Sequence, residues 1–321
     1  MISTSNVANS SSTNNPLLIT ITGPTASGKT SLAVAVARVL KGEIISADSR
    51  QVFRGMDIGT GKDLSDYSSP SGSVPYHLID ICDAGDEYNL YRFQNDFIAA
   101  FNSILSRQAQ PILCGGTGMY IDSVLRSFPL SNAPVDPAFR RSVEHCSDDV
   151  LVARLATFVK LHNHTDTESR DRLVRALEIQ EYNHHHPSDC VVFPPMRHLT
   201  FAISFPRPML VDRIEARLRQ RLDDGMVDEV ARLLQQGVPA QRLERYGLEY
   251  RHITRYLNGV CSYQAMFDNL FADIRHFSKR QMTYIRHIER NGVPIHWIDG
   301  TLPLNDKVHC VLSLSDLSPC H

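Results

Sequence analysis

Residues Leu17 to Leu40 read LLITITGPTASGKTSLAVAVARVL, and the fold follows from this stretch. The aliphatic and β-branched run Leu17 to Thr22 predicts a buried strand. A glycine-bounded turn follows, and Leu32 to Leu40 is almost wholly apolar, as a helix packed on a sheet would be. The turn, Gly23-Pro24-Thr25-Ala26-Ser27-Gly28-Lys29-Thr30, fits G-x-x-x-x-G-K-[ST], the pattern of a loop that cradles phosphates. Its glycines let the backbone close on an oxyanion in conformations that a Cβ resists. The turn's N–H groups and the first turn of the helix point at the anion, with the helix dipole behind them. Lys29 adds a point charge, and the Thr30 hydroxyl is placed to hold Mg²⁺ bound to the phosphates. The loop specifies a diphosphate or triphosphate; it does not specify a reaction.

Outward from the loop, Glu43 to Ser49 (EIISADS) is a second short strand. Strand, phosphate loop, helix, strand is the opening of a parallel α/β unit, whose ligands sit at the carboxyl ends of strands. Asp48, Ser49, Arg50 and Gln51 therefore emerge beside the loop. Asp48 there takes a proton, binds a Mg²⁺-held water, or simply caps a turn. Arg54 to Lys62 (RGMDIGTGK) is either a second phosphate-facing segment, with Lys62 reaching the anion, or a flexible surface loop. Tyr76 to Ile81 (YHLIDI) predicts a third strand, with Asp80 read as its terminus in preference to a metal-holding carboxylate. Phe93, Phe97, Ile98, Phe101, Ile104 and Leu105 mark the buried face of a helix over Tyr91 to Arg107. Pro111 to Cys114 returns as a strand into Gly115-Gly116-Thr117-Gly118, a second glycine turn that brings another hydroxyl, Thr117, to a strand end.

Between Arg126 and Asp136 the composition shifts to Ser, Pro and Asn, which predicts a small helical insertion over 129–167 between two parts of the core, 16–128 and 168–303. Glu168 to Glu181 is a charged helix whose Arg170, Arg172 and Arg175 are either solvated or phosphate-facing. His184 to His186 are expected in a surface loop, without a partner spaced to share a metal. After a strand at Leu199 to Phe205 the chain is mostly helical: Arg207 to Leu222, Met226 to Gln236 and Tyr263 to Arg290. The last carries Arg275, Lys279, Arg280, Arg286 and Arg290 on its outer side. With Arg213, Arg217 and Arg221 they make a locally basic half, suited to an RNA backbone or to ordinary solvated helices. Val293 to Ile298 is a last strand. Residues 1–15, rich in Ser, Thr and Asn, are expected to be a disordered tail, and 304–321 a loosely held extension.

Hydrophobic content of 42% and charged content of 21% are those of an ordinary globular chain. A formal net charge of −2 gives no global attraction for nucleic acid, so RNA would need a local basic face. Seven cysteines, an odd number without C-x-x-C or zinc spacing, point to reduced thiols in a cytoplasmic protein. No run approaches the ~20 apolar residues of a membrane span, so no membrane partner is expected.

GPTASGKT, EIISADSRQVFRGMDIGTGK, HLIDI, GGTGMYI, RLVRALEI and FSKRQMTYIR, in that order between Leu17 and Asp299, resemble the tRNA dimethylallyltransferases. The resemblance implies an α/β fold: a P-loop NTPase-like parallel sheet flanked by helices, with a small helical insertion facing tRNA and a helical carboxyl-terminal half. It implies that Gly23, Pro24, Thr25, Ala26, Ser27, Gly28, Lys29 and Thr30 hold the diphosphate of dimethylallyl diphosphate, with Mg²⁺ at Thr30. The acceptor would be the N6 amine of the adenosine 3′ of a tRNA anticodon, in the anticodon stem-loop. Asp48 looks like the carboxylate that accepts from that amine, with Thr25, Lys29 and Thr117 near the reacting groups. Asp48, Ser49, Arg50, Gln51 and the segment Asp171, Arg172, Leu173, Val174, Arg175 would face the RNA, and the chain is expected to be a monomer. A small-molecule or nucleotide kinase that binds ATP, a prenyltransferase of free adenine nucleotides, and an RNA-binding protein without catalysis are the rivals. A kinase would leave the basic helices and the GGTG turn without a task.

Overall fold

The computed structural model describes residues 15–68, 70, 72–158 and 169–315. They fall into two compact units, Met1–Arg126 with Pro194–His321, and Ser127–Phe193. In the first unit β1 (Leu17–Thr22), β2 (Gly42–Ser46), β3 (Tyr76–His77), β4 (Gln110–Gly115), β5 (Arg197–Ser204) and β6 (Ile295–Asp299) form one sheet. Its order is β3-β2-β4-β1-β5-β6, and every neighbouring pair is parallel. Parallel pairing demands crossovers, which here are helical: α1 (Lys29–Leu40) joins β1 to β2, α2 (Leu90–Ser106) joins β3 to β4, and α3 (Gly118–Leu125) follows β4. Alternate strand residues Ile19, Ile21, Ile112, Phe201 and Ile203 bury one sheet face against Leu32, Ala33 and Val36 of α1. The strand expected over Tyr76 to Ile81 stops at His77, because Leu78 and Asp80 turn into the left-handed region with φ of 62° and 57°.

Two terminal expectations fare differently. Residues 1–14 of the expected tail, and 316–321, lie outside the described residues. The rest of the supposed loose extension is α12 (Leu304–Ser315), whose Val308 and Val311 are buried in the core beside α1. That corrects the expectation: a short helix with only a few apolar residues gives a weak pattern but still closes the sheet's flank.

A second core of the first unit is helical. The loop residues Val52, Phe53 and Met56 pack with α7 (Arg207–Asp223), α8 (Met226–Gln235), α9 (Ala240–Tyr246), α10 (Leu248–Leu257) and α11 (Tyr263–Arg290). Met266, Leu270 and Ile274 of α11 are buried there as its periodicity predicts. Phe277, at the same helical spacing, is 39% exposed. Among the described residues no helix is long and apolar enough to cross a membrane.

The second unit has its own small core. α4 (Pro137–Val143), α5 (Asp148–Phe158) and α6 (Arg170–His185) bury Val143, Leu151, Leu155, Leu173 and Leu177 together. The unit runs to Phe193 rather than ending at 167, because α6 supplies Leu173 and Leu177 to that core. His184 and His185 belong to α6 rather than to a loop, and His186 stacks on Tyr182 at 4.3 Å between ring centroids. The carboxylate of Glu178 accepts from Arg140 at 3.0 Å, Arg175 at 2.6 Å and the Asp136 N–H at 2.6 Å. Burial alone would raise this carboxyl; those hydrogen bonds outweigh it and hold it down to about 2.

Candidate active site

Three loops leave the carboxyl ends of the adjacent strands β2, β4 and β1 and share one cavity of about 740 Å³. The first is the phosphate-loop pattern. Gly28, with φ of 79°, caps α1 in a left-handed conformation that a Cβ would strain. Ser27 donates its N–H to the Pro24 carbonyl at 3.3 Å, closing the turn. The Ser27 hydroxyl is buried and has no hydrogen-bond partner among the described residues. Thr25, Ala26, Lys29 and Thr30 line the cavity.

Lys29 donates to the Pro24 carbonyl at 3.4 Å. Burial, then the charges of Arg217 and Arg221, push its ammonium below the ordinary lysine range. Cys114 beside it does not compensate: burial pushes the thiol up to about 12, so it stays neutral. Arg213, Arg217 and Arg221 lie four residues apart on α7 and all line the cavity. The sequence had offered them as part of an RNA-facing surface; the structure turns them inward. Arg213 donates to the Ala26 carbonyl at 2.9 Å, with its guanidinium 4.8 Å from the Phe205 ring centroid. Arg217 pairs with Asp63, and Arg221 lies 3.9 Å from the same carboxylate. A gathering of half-compensated cations is costly by itself and is relieved by an anion.

The second loop follows β2. Asp48 accepts from the Arg50 N–H at 2.9 Å through one oxygen and lines the cavity. The turn cap and the cavity carboxylate are thus the same residue. Burial lowers the Arg50 guanidinium pKa, and Asp48 opposes that shift. Ser49 donates its N–H to the Thr117 hydroxyl at 3.0 Å, so Thr117 positions the segment that carries Asp48. Gln51 donates to the Gly61 carbonyl at 3.0 Å and accepts from the Ser46 hydroxyl at 3.0 Å.

Gln281 on α11 was not singled out from the sequence, yet it joins two of the loops. Its carbonyl accepts from the Thr25 N–H at 2.8 Å, and its amide donates to the Gly116 carbonyl at 3.0 Å. A Cβ on Gly116 would lie 2.5 Å from that amide, so a side chain there would push Gln281 aside.

Lys62 does not reach the cavity's anion end. It is 1% exposed, donates to the Phe53 carbonyl at 2.7 Å and pairs with Asp57 at 2.6 Å and with Asp80. Its loop is pinned rather than free, and Gly59, Thr60 and Gly61 line the cavity. Glu229 of α8 accepts from the N–H groups of Asp57 at 2.8 Å, Ile58 at 2.7 Å and Gly59 at 3.0 Å, and from the Tyr250 hydroxyl at 2.7 Å. The available signal was a glutamate inside an apolar helical stripe, between Met226 and Val230, Leu233. In the second unit, Leu173 is buried in the core and corrects its assignment as an RNA contact. Arg175 is engaged by Glu178 and by the Ala133 and Pro134 carbonyls at 2.7 and 3.3 Å. Val174 is half-buried, while Asp171 and Arg172 are exposed.

Comparison with known proteins agrees with this geometry. A family model described as IPP transferase matches residues 51–288. The tRNA dimethylallyltransferase 2 of Porphyromonas gingivalis strain W83 is 49% identical over 297 residues, covering 92% of this chain and 98% of that protein. The crystal structure of full-length tRNA isopentenylpyrophosphate transferase from Bacillus halodurans superposes with a TM-score of 0.68 at 29% identity, over 94% of this chain and 96% of that one. A eukaryotic dimethylallyltransferase acting on tRNA shares the fold, with a TM-score of 0.69 at 20% identity over 95% and 81% of the two chains. The chain belongs to the IPP transferase family, the tRNA dimethylallyltransferases.

Proposed function

We propose that this chain transfers a dimethylallyl group from dimethylallyl diphosphate to the N6 amine of the tRNA adenosine 3′ of the anticodon. The observation that carries the reading is one cavity of about 740 Å³ holding a cationic loop end, with Lys29 and the α7 arginines, and the Asp48 carboxylate. That volume accommodates an allylic diphosphate and an extruded adenine together. The bond from the allylic carbon to the diphosphate oxygen breaks as the bond from N6 forms, and the N6 proton passes to Asp48. The loop N–H groups, Lys29 and the α7 arginines stabilise the charge that develops on the departing diphosphate. Holding the weakly nucleophilic amine against the allylic carbon supplies much of the remainder. Ser49 and Thr117 keep the Asp48 segment in place, and Thr25 is held by Gln281.

Mg²⁺ fits this donor set. Thr30 offers a hard hydroxyl oxygen at the cavity beside the loop that would hold the phosphates, the kind that Mg²⁺ takes together with phosphate and water oxygens. When bound, the ion adds to the neutralisation of the diphosphate. Ser49, Arg50, Gln51 and the exposed Asp171 and Arg172 are the proposed RNA contacts, in a cytoplasmic monomer. The kinase and free-nucleotide readings are not favoured by the family to which the chain belongs.

The test is transfer of radiolabelled dimethylallyl from its diphosphate to bulk unmodified tRNA with Mg²⁺, with AMP and ATP as competing acceptors. Label in tRNA alone is expected. Label in AMP, or phosphate released from ATP without any transfer, would overturn the reading.

A further inference from the structure

One cavity group has no task in that chemistry. Glu249, in the first turn of α10, lines the same cavity as Asp48. The hydrogen bond that acts on its carboxyl comes from its own backbone N–H. Glu229 and Glu43 are held far more fully: Glu229 has four donors, and Glu43 is held by Arg107 and His77. A carboxyl held by so little at the wall of a cavity is one that a ligand can complete.

Its surroundings shift the carboxyl toward the neutral form. Burial pushes the Glu249 carboxyl up; Arg221, and more weakly Arg217, oppose this, and Asp48 adds to it. Arg50 also feels its charge. A neutral carboxyl presents a donor and an acceptor side by side, where an ionised one only accepts. Adenine presents the matching pair on its Watson–Crick edge, an acceptor at N1 and a donor at N6. Enzymes that extrude a base read it through that edge.

We propose that Glu249 is a specificity-determining residue: its carboxyl donates to N1 of the acceptor adenine and accepts the N6 hydrogen on that side. The other N6 hydrogen is left to Asp48. The assignment rests on the function proposed above, because it needs an adenine in the cavity.

The test is a cycle between this side chain and N1. Wild type, Glu249→Ala and Glu249→Gln are assayed for kcat/KM on two anticodon stem-loops, identical except that one carries 1-deazaadenosine as acceptor. Wild type is expected to prefer adenosine by roughly 10- to 100-fold, the effect of stranding one buried hydrogen-bonding group. Glu249→Ala loses about that factor on adenosine and treats the two loops alike. Glu249→Gln, whose amide still donates to N1, keeps the wild-type preference. Three results would overturn the assignment: no preference in wild type, an unchanged preference in Glu249→Ala, or a Glu249→Gln enzyme that behaves like Glu249→Ala. The last would mean that the carboxylate's charge balances Arg221 instead. Should Glu249→Ala fail to fold, the Gln variant and wild type decide alone. If wild type labels neither loop, the function itself has failed and this assignment falls with it.

Discussion

Residues 23–30 and 54–62 look alike on paper: each is a glycine-bearing loop after a strand, and each carries a Gly-Lys pair. Their fates are opposite. In 54–62 the anion is part of the protein: three consecutive N–H groups converge on Glu229, and Lys62 is consumed by Asp57, Asp80 and the Phe53 carbonyl. In 23–30 no carboxylate among the described residues fills the cradle; Lys29 and the α7 arginines crowd around a cavity, and repulsion adds to burial in lowering the lysine. The same local chemistry therefore serves as a buried fastener in one place and as a receptor in the other. What separates them is whether a distant element delivers an anion.

Exchanging the lysines breaks this comparison most sharply. Lys29→Met should cut transfer by roughly 10²- to 10³-fold, since it removes a preorganised charge at the leaving group. Its melting temperature should hold or rise, because a repelled, buried cation is gone. Lys62→Met should do the reverse. It leaves the buried Phe53 carbonyl without its donor and takes the cation from Asp57 and Asp80, which stay partly in water, at about 1–3 kcal/mol of stability. Steady-state transfer and thermal unfolding, measured on both variants, decide the matter. Equal losses of activity with unchanged melting would mean that Lys62 also serves the anion. A parallel contrast holds for the aspartates in the loops after β2 and β3: Asp48→Asn should lower transfer by about 10²- to 10⁴-fold, as loss of a general base does, and spare melting. Asp80→Asn should lower melting and spare transfer.

The contrast also marks what could be read in advance. Strand β1, the loop and α1 form one contiguous pattern, and their geometry is local, so residues 17–40 sufficed. Asp48 was legible for the same reason, being one strand away. Arg213, Arg217 and Arg221 were visible as a stripe, but arginines at helical spacing read the same whether they face water or a cavity. Gln281 meets Thr25 across 256 residues and Glu229 meets Gly59 across 170, and no local pattern encodes such encounters. The strand expected beyond His77 failed for a different reason. Apolar residues continue through Leu78 and Ile79, but the backbone has already turned so that Asp80 can reach Lys62.

Removing the internal anion is a gentler intervention. Glu229→Gln keeps the shape of the side chain but offers one carbonyl where four donors converged. The stranded N–H groups should cost about 1–3 kcal/mol, read as a lower midpoint in urea with unchanged m-value. Amide exchange should accelerate at Asp57, Ile58 and Gly59 and leave residues 23–30 as they were. If exchange rose in both loops alike, the two would be one cooperative element, and the division between fastener and receptor would be wrong.

The second unit supplies the mildest test of the same principle, because its internal carboxylate can be titrated without mutation. Glu178 is held by Arg140, Arg175 and the Asp136 N–H at about 2, below the ordinary 4.5 of a glutamate. A group whose folded pKa is depressed contributes stability that is complete above its unfolded pKa and is lost as pH falls through the folded one. Amides of α6 should therefore exchange with a protection factor that is flat above about pH 5 and declines from there toward pH 2. Glu178→Gln should show lower protection throughout and no such decline from this site. A wild-type profile that matched the Gln variant would mean that Arg140 and Arg175 do not stabilise the carboxylate. Arg175 would then be available to a ligand, as the sequence pattern first allowed.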